Sequence, residues 1–222
     1  MRVKICGIRD EQELKICAKY ADIVGFVTEY PIEVPWNISR EEAKRLISKT
    51  PPFIYTVVVT SGRVEEVVEI VEYTKPNAVQ LHGNESEKEV REIVEALNVK
   101  VIKALPIDVK TGKVYGRDAI DAALSYERTG IDAILLDSKT DKIGGTGKTF
   151  DWDIARRVRE KINIPLILAG GLNSRNVKKA IEYVKPYAVD VISGVETSGR
   201  KDERKVKEFV MAAKQAFLLQ GW

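Results

Sequence analysis

The chain is poor in the residues that bind metals or form cross-links. It has one histidine, His82, two cysteines, Cys6 and Cys17, and no Cys-x-x-Cys pair. A histidine and thiolate metal site needs three or four such ligands, so this scarcity argues against one. No secretory apolar segment is visible, because Met1 to Arg9 already read as a strand and a turn. Two thiols in that setting predict a cytosolic protein with reduced cysteines. Long apolar runs are missing too. Stretches such as Ile131 to Leu136 and Ile164 to Gly170 stop far short of the roughly 20 residues needed to cross a bilayer, so no membrane span is expected. Nor is there an excess of one charge. Lys+Arg 36 against Asp+Glu 33 gives +3, spread along the chain, which speaks against a nucleic-acid or membrane surface.

What is present is a regular alternation. The chain has 222 residues, 44% of them hydrophobic, enough for a substantial core. Short apolar runs rich in β-formers recur at Val3 to Cys6, Ile23 to Val27, Ile54 to Val59, Ala78 to Leu81, Val99 to Ala104, Ala133 to Leu136, Pro165 to Ala169 and Ala188 to Ile192. Most are continuous rather than alternating in hydrophobicity, as expected of strands buried on both faces of a parallel sheet. Between them lie charged amphipathic stretches of helical length, including Ser39 to Lys49, Gly62 to Tyr73, Ser86 to Leu97, Asp151 to Lys161, Ser174 to Tyr183 and Asp202 to Phe217. Val64, Val67, Val68 and Val71 mark one helical face. Ser39 with Glu42 and Ser86 with Glu89 have capping-box spacing.

Strict strand-helix alternation implies right-handed βαβ units. Eight repeats favour a closed (β/α)8 barrel of TIM type, with residues 1–222 forming a single α/β domain. Thr28 to Ile38 and Pro106 to Arg117 are the longest irregular stretches.

In such barrels the chemistry sits where strands end. Cys6 closes the first strand before Gly7, and Asp137 closes a fully apolar sixth strand. The first and sixth strands are three apart around an eight-strand ring, so Cys6 and Asp137 are expected to face each other across the mouth. A base and an acid on opposite sides of one small substrate suit a proton-transferring isomerase. Ordinary burial of Cys6 and a satisfied rim carboxylate at Asp137 are the alternatives. Cys17, at helical spacing from Leu14 and Ala21, reads as core. Gly170, Gly171 and Asn173 after the seventh strand, with Ser193 and Gly194 after the eighth, form a set of backbone donors suited to a phosphate. Tight βα turns alone would also explain these glycines.

Gly144 to Thr149 superficially resembles a phosphate-binding P-loop, but Lys142 stands where that pattern requires glycine. A loop over the barrel mouth is the better expectation. His82, after the fourth strand, is open to either a ligand-binding or a structural role.

Six segments together carry a more specific signal: Val3 to Ile8, Val79 to Gly83, Leu135 to Thr140, Gly144 to Trp152, Leu168 to Asn173 and Asp190 to Glu196. In this order and at matching strand ends, the chain resembles the phosphoribosylanthranilate isomerase family from first strand to last. The resemblance implies an Amadori rearrangement of a phosphosugar in tryptophan biosynthesis, without metal or organic cofactor, by a monomer or homodimer. By the same resemblance Cys6 matches the general base and Asp137 the general acid. Gly171, Asn173, Ser193 and Gly194 match the phosphate loops, and Asp190 a residue that orients a substrate hydroxyl. This division requires a protonated carboxyl beside an ionised thiol, the reverse of their isolated preferences.

One segment departs from the family pattern. Many relatives read Ser-Pro-Arg in the loop after the second strand, where the arginine pairs with the anthranilate carboxylate. Here the stretch is Val34-Pro35-Trp36. Arg40 or Arg63 is then the expected source of charge, with Trp36 free to stack on the aromatic ring. Two other phosphosugar barrels are less well matched. A histidine-pathway aminoimidazole ribotide isomerase would carry an aspartate in place of Cys6, and indole-glycerol-phosphate synthesis would need a lysine and glutamate set of which Lys4 alone is apparent. A non-catalytic phosphosugar-binding barrel would be expected to lose Cys6 or Asp137.

Overall fold

The computed structural model describes residues 1–139 and 149–218. Most of the glycine-rich 144–149 loop therefore lies outside the described residues. Eight parallel strands run β1 (Arg2–Ile5), β2 (Ile23–Thr28), β3 (Tyr55–Thr60), β4 (Ala78–Leu81), β5 (Lys100–Asp108), β6 (Ala133–Lys139), β7 (Leu166–Leu168) and β8 (Ala188–Val191). Each pairs with its sequence neighbour, and β8 pairs with β1, so the sheet closes into the expected (β/α)8 barrel.

Helices α1 (Glu11–Ala18), α2 (Arg40–Lys49), α3 (Val64–Thr74), α4 (Glu87–Ala96), α5 (Ala119–Glu127), α6 (Trp152–Lys161), α7 (Val177–Val184) and α8 (Glu203–Leu218) follow the strands in turn. Ser86 and Glu89 make both bonds of a capping box, whereas Ser39 only accepts from the Glu42 N–H. The seventh helix starts at Val177 rather than Ser174, because Asn173 and Asn176 turn their amides onto the loop ahead of it.

Two expected loops contain strand. β5 continues through Pro106 to Asp108, paired with β6 from Asp137 to Lys139. Asn37–Ile38 adds a short parallel segment to the end of β2. Proline offers no N–H, yet Pro106 keeps its place in the register opposite Asp137.

Apolar side chains fill two separate spaces. The larger cluster, with Ile5, Phe26, Leu46, Ile93, Ile134 and Phe209, lies between strands and helices. The smaller one, with Cys6, Val57, Ala104, Leu135, Ile167 and Ala188, fills the barrel itself. The barrel is thus a packed core, and ligand chemistry is confined to the rim where the strands end.

Candidate active site at the barrel mouth

Cys6 lies just past β1, with its N–H donating to the Val191 carbonyl of β8 at 2.9 Å. Its side chain is buried beside Lys4, two residues earlier on the same face of the strand. Burial pushes the thiol pKa up. Lys4 opposes that shift, Asp190 adds to it, and Lys201 lowers it. Lys4 reaches across to Asp190, Nζ to Oδ2, at 3.1 Å.

Asp137 stands on β6 on the other side of the mouth. Burial, then the neighbouring Asp190 carboxylate, holds its pKa up at about 6, while the Ser138 N–H, donating to Oδ1 at 2.7 Å, and Lys4 pull the other way. The carboxyl keeps 32% of its side-chain surface open. It is surrounded by protein yet reachable from the mouth.

His82 follows β4. Its Nε2 is 3.6 Å from Asp137 Oδ2, and its Nδ1 is 3.0 Å from Gln80 Nε2. Burial, then Lys103 and Lys4, press its pKa down to about 4, so the ring is neutral at physiological pH. The loop bearing it is tied from below. The Tyr30 hydroxyl donates to the His82 carbonyl at 2.7 Å, while Tyr115 and Lys103 donate to the Gly83 carbonyl at 2.6 and 2.7 Å. Lys103 in turn pairs with buried Glu85 at 2.9 Å.

At the neighbouring strand ends, the loop after β7 and the 3-10 turn Ser193–Val195 after β8 pack backbone to backbone. A Cβ on Gly194 would fall 1.9 Å from the Leu172 carbonyl oxygen, so only glycine permits this approach. Asn173 organises its own loop, with Oδ1 accepting from the Arg175 N–H at 2.9 Å.

The residues read from the sequence thus divide. Cys6, Asp137, Asp190 and His82 gather at one centre, linked through direct contacts or mutual electrostatics. Gly171, Asn173, Ser193 and Gly194 line the two adjoining loops. Arg40 is not brought to the centre. Its guanidinium is held by both oxygens of Glu29 and by Glu69 on α3, at 2.7–2.8 Å, so its charge is already matched. Arg63 is likewise turned onto Glu66.

Trp36 is buried over Gly7, whose φ of +75° and close contact with the indole both favour glycine. Its Nε1 donates to Glu196 at 2.8 Å, and Glu196 pairs with Lys201 at 2.8 Å. The hairpin formed by Glu196–Thr197 and Arg200–Lys201 is therefore joined to the β2 loop above Cys6. Lys103, Glu85, the pairing of Lys4 with Asp190 and this Trp36–Glu196 link escaped the sequence reading. The available signal was a lysine inside an otherwise apolar strand, as in Val101-Ile102-Lys103-Ala104-Leu105, which must find a buried partner.

A family model described as N-(5'-phosphoribosyl)anthranilate (PRA) isomerase matches residues 3–212. The chain belongs to the N-(5'-phosphoribosyl)anthranilate isomerase family. An isomerase of that name from Methanosarcina acetivorans is 42% identical over 217 residues, covering 94% of this chain and 91% of the relative. The crystal structure of the phosphoribosylanthranilate isomerase from Thermotoga maritima superposes with a TM-score of 0.83 at 39% identity, over 97% of this chain and 99% of that one. A further isomerase structure, in complex with reduced 1-(o-carboxyphenylamino)-1-deoxyribulose 5-phosphate, has a TM-score of 0.80 at 36% identity, over 97% and 99% of the two chains. As a member of this family the chain is an isomerase of tryptophan biosynthesis acting on phosphoribosylanthranilate, a small phosphosugar. Among the described residues, no helix is long and apolar enough to cross a membrane.

Proposed function

We propose that this isomerase carries out the Amadori rearrangement of N-(5'-phosphoribosyl)anthranilate to 1-(2-carboxyphenylamino)-1-deoxyribulose 5-phosphate with Asp137 as general acid and Cys6 as general base. Asp137 gives its proton to the furanose ring oxygen as the C1–O bond breaks, and the nitrogen lone pair forms the Schiff base. Cys6 then removes the C2 proton, and the electrons of that bond neutralise the iminium to give the enolamine, which tautomerises to the ketone. The observation that carries this reading is the pairing of a carboxyl held up at about 6 with a thiol beside an ammonium, on strand ends across one barrel mouth.

The phosphate is bound by the backbone of Gly171, Ser193 and Gly194, in a loop shaped by Asn173. Asp190, whose Oδ1 is buried without a partner, accepts from a substrate hydroxyl. Neutral His82 lies where it can donate to the substrate beside Asp137. Arg40, already matched by Glu29 and Glu69, is left out of the site, and Trp36 supplies an aromatic surface for the anthranilate ring. The setting is cytosolic, in keeping with two unpaired cysteines, and the enzyme acts as a monomer or homodimer.

The test is turnover of phosphoribosylanthranilate generated in place from anthranilate and phosphoribosyl pyrophosphate by a coupled transferase. Loss of turnover in both Cys6→Ala and Asp137→Asn supports the acid and base assignment. A folded wild-type protein that binds phosphosugars but does not turn the substrate over would overturn the reading.

A further inference from the structure

Lys4 and Asp190 form an ion pair inside the barrel, with side chains only 1% and 6% exposed. They are register partners on β1 and β8. Taking two charges out of water is costly, and an apolar pair of similar size often serves stability as well or better. This pair is also incompletely satisfied, because Asp190 Oδ1 is buried with no hydrogen-bond partner. Stability alone does not account for such an arrangement.

Its position does. Lys4 and Cys6 crowd the same point above Gly25, where a Cβ would lie 2.7 Å from the Cys6 sulfur and 3.1 Å from the Lys4 Cε. Lys4 remains cationic there. Burial opposes its charge, but Asp190 and Cys6 outweigh burial, and its pKa is raised. Among the charges acting on Cys6, Lys4 comes first, followed by Asp190 and Lys201. Among those acting on Asp137 the order is reversed, with Asp190 ahead of Lys4. We propose that the Lys4–Asp190 pair is a fixed internal dipole, ammonium toward Cys6 and carboxylate toward Asp137, that increases the share of enzyme holding an ionised thiol and a protonated carboxyl together.

This inference rests on the acid and base roles given above. Burial drives both groups toward their protonated forms, which helps the acid and hinders the base. The dipole offsets that hindrance at the base while reinforcing protonation at the acid. The other charged and titratable groups facing the pair are Lys201, matched by Glu196, on the Cys6 side and neutral His82 on the Asp137 side. Lys4 and Asp190 are thus positioning residues for the proton transfers, whatever contact Asp190 also makes with substrate.

The experiment titrates both groups in resting enzyme, so its failure is distinguishable from a failed turnover assay. Cys6 is followed by its rate of alkylation with iodoacetamide against pH. Cys17 does not interfere, because burial has pushed its thiol up to about 12. Asp137 is followed by carbon NMR of its carboxyl, assigned by comparison with Asp137→Asn. The principal variant is Lys4→Met with Asp190→Asn, which leaves no lone buried charge. Alkylation of Cys6 at neutral pH is expected to fall about tenfold or more, one pKa unit being a factor of ten in thiolate. The Asp137 titration is expected to move to lower pH in the same protein. A titration of either group that keeps its wild-type position, or shifts of both in one direction, would overturn the proposal. Should the double variant not fold, Asp190→Asn alone carries the test. It removes the carboxylate and keeps the ammonium, so both titrations must move down, and an unmoved Asp137 would refute the dipole.

Discussion

His82 Nε2 and Asp137 Oδ2 lie 3.6 Å apart at the barrel mouth, and the ring is neutral. The Gln80 side-chain amide lies 3.0 Å from Nδ1, so the ring is held between that amide and the carboxyl. A charged imidazolium here would hold Asp137 ionised, whereas the role proposed for it needs the protonated carboxyl. The neighbouring Lys103 and Lys4, together with burial, prevent that.

The pH dependence of kcat/KM follows from the two raised groups. Asp137 at about 6 and a thiol above its usual range predict a bell-shaped profile, with an acid limb near 6 and an alkaline limb above the ordinary thiol value. Steady-state kinetics across pH check this. The residual activity of Asp137→Asn should lose the alkaline limb and climb with pH until the Cys6 thiol ionises, and a break kept near 6 would remove Asp137 from its role.

Asp137 also weakens the fold that carries it. Its folded pKa is raised, so the stability it contributes is fully present below the unfolded value and is lost as pH rises through about 6. Asp137→Asn should therefore be more stable than wild type at pH 7, by on the order of 1 kcal/mol once solvent at the open face is allowed for, and equally stable near pH 3. Urea unfolding at both pH values measures the difference. An Asn variant no more stable at pH 7 would contradict the strain assigned to this carboxyl.

The Lys103–Glu85 pair underpins the His82 loop from a fully buried position. Lys103→Met leaves the Glu85 charge unpaired in the interior and should cost about 3–5 kcal/mol, read by denaturant unfolding. Adding Glu85→Gln should recover much of that loss while KM stays elevated, because the Gly83 carbonyl has lost its ammonium donor. Full recovery of both stability and KM would make the pair dispensable.

Trp36 packs over Gly7, the residue after Cys6, and is held there by Glu196. Binding of the reduced product analogue should change tryptophan fluorescence, and Trp36→Phe should abolish most of that change although Trp152 and Trp222 remain. A signal that survives the substitution would place the anthranilate ring away from Trp36.

The barrel was legible in the chain because each of its units is written locally. A continuous apolar run followed by an amphipathic stretch specifies a strand and a helix that can bury themselves in few ways, and eight repeats leave closure as the natural arrangement. Cys6 and Asp137 were legible for the same reason, since a polar residue at the end of an apolar strand marks the rim. Element limits were less so. Pro106 reads as a breaker, yet β5 runs past it because pairing with β6 outweighs one missing donor.

Which charges meet was decided only in three dimensions. Arg40 looked available beside the altered loop, but Glu29 and Glu69, 11 and 29 residues away, claim its guanidinium. Lys4 and Asp190 are 186 residues apart and become neighbours only when β8 closes on β1. Trp36 and Glu196 meet across 160 residues through two loops that flank the first strand. Residue type and periodicity carry the hydrophobic pattern, which is local and non-directional. Ion pairs and hydrogen bonds depend on distance and angle between groups remote in sequence, so the sequence by itself determined the barrel and its rim, and the closed fold determined the electrostatics of the site.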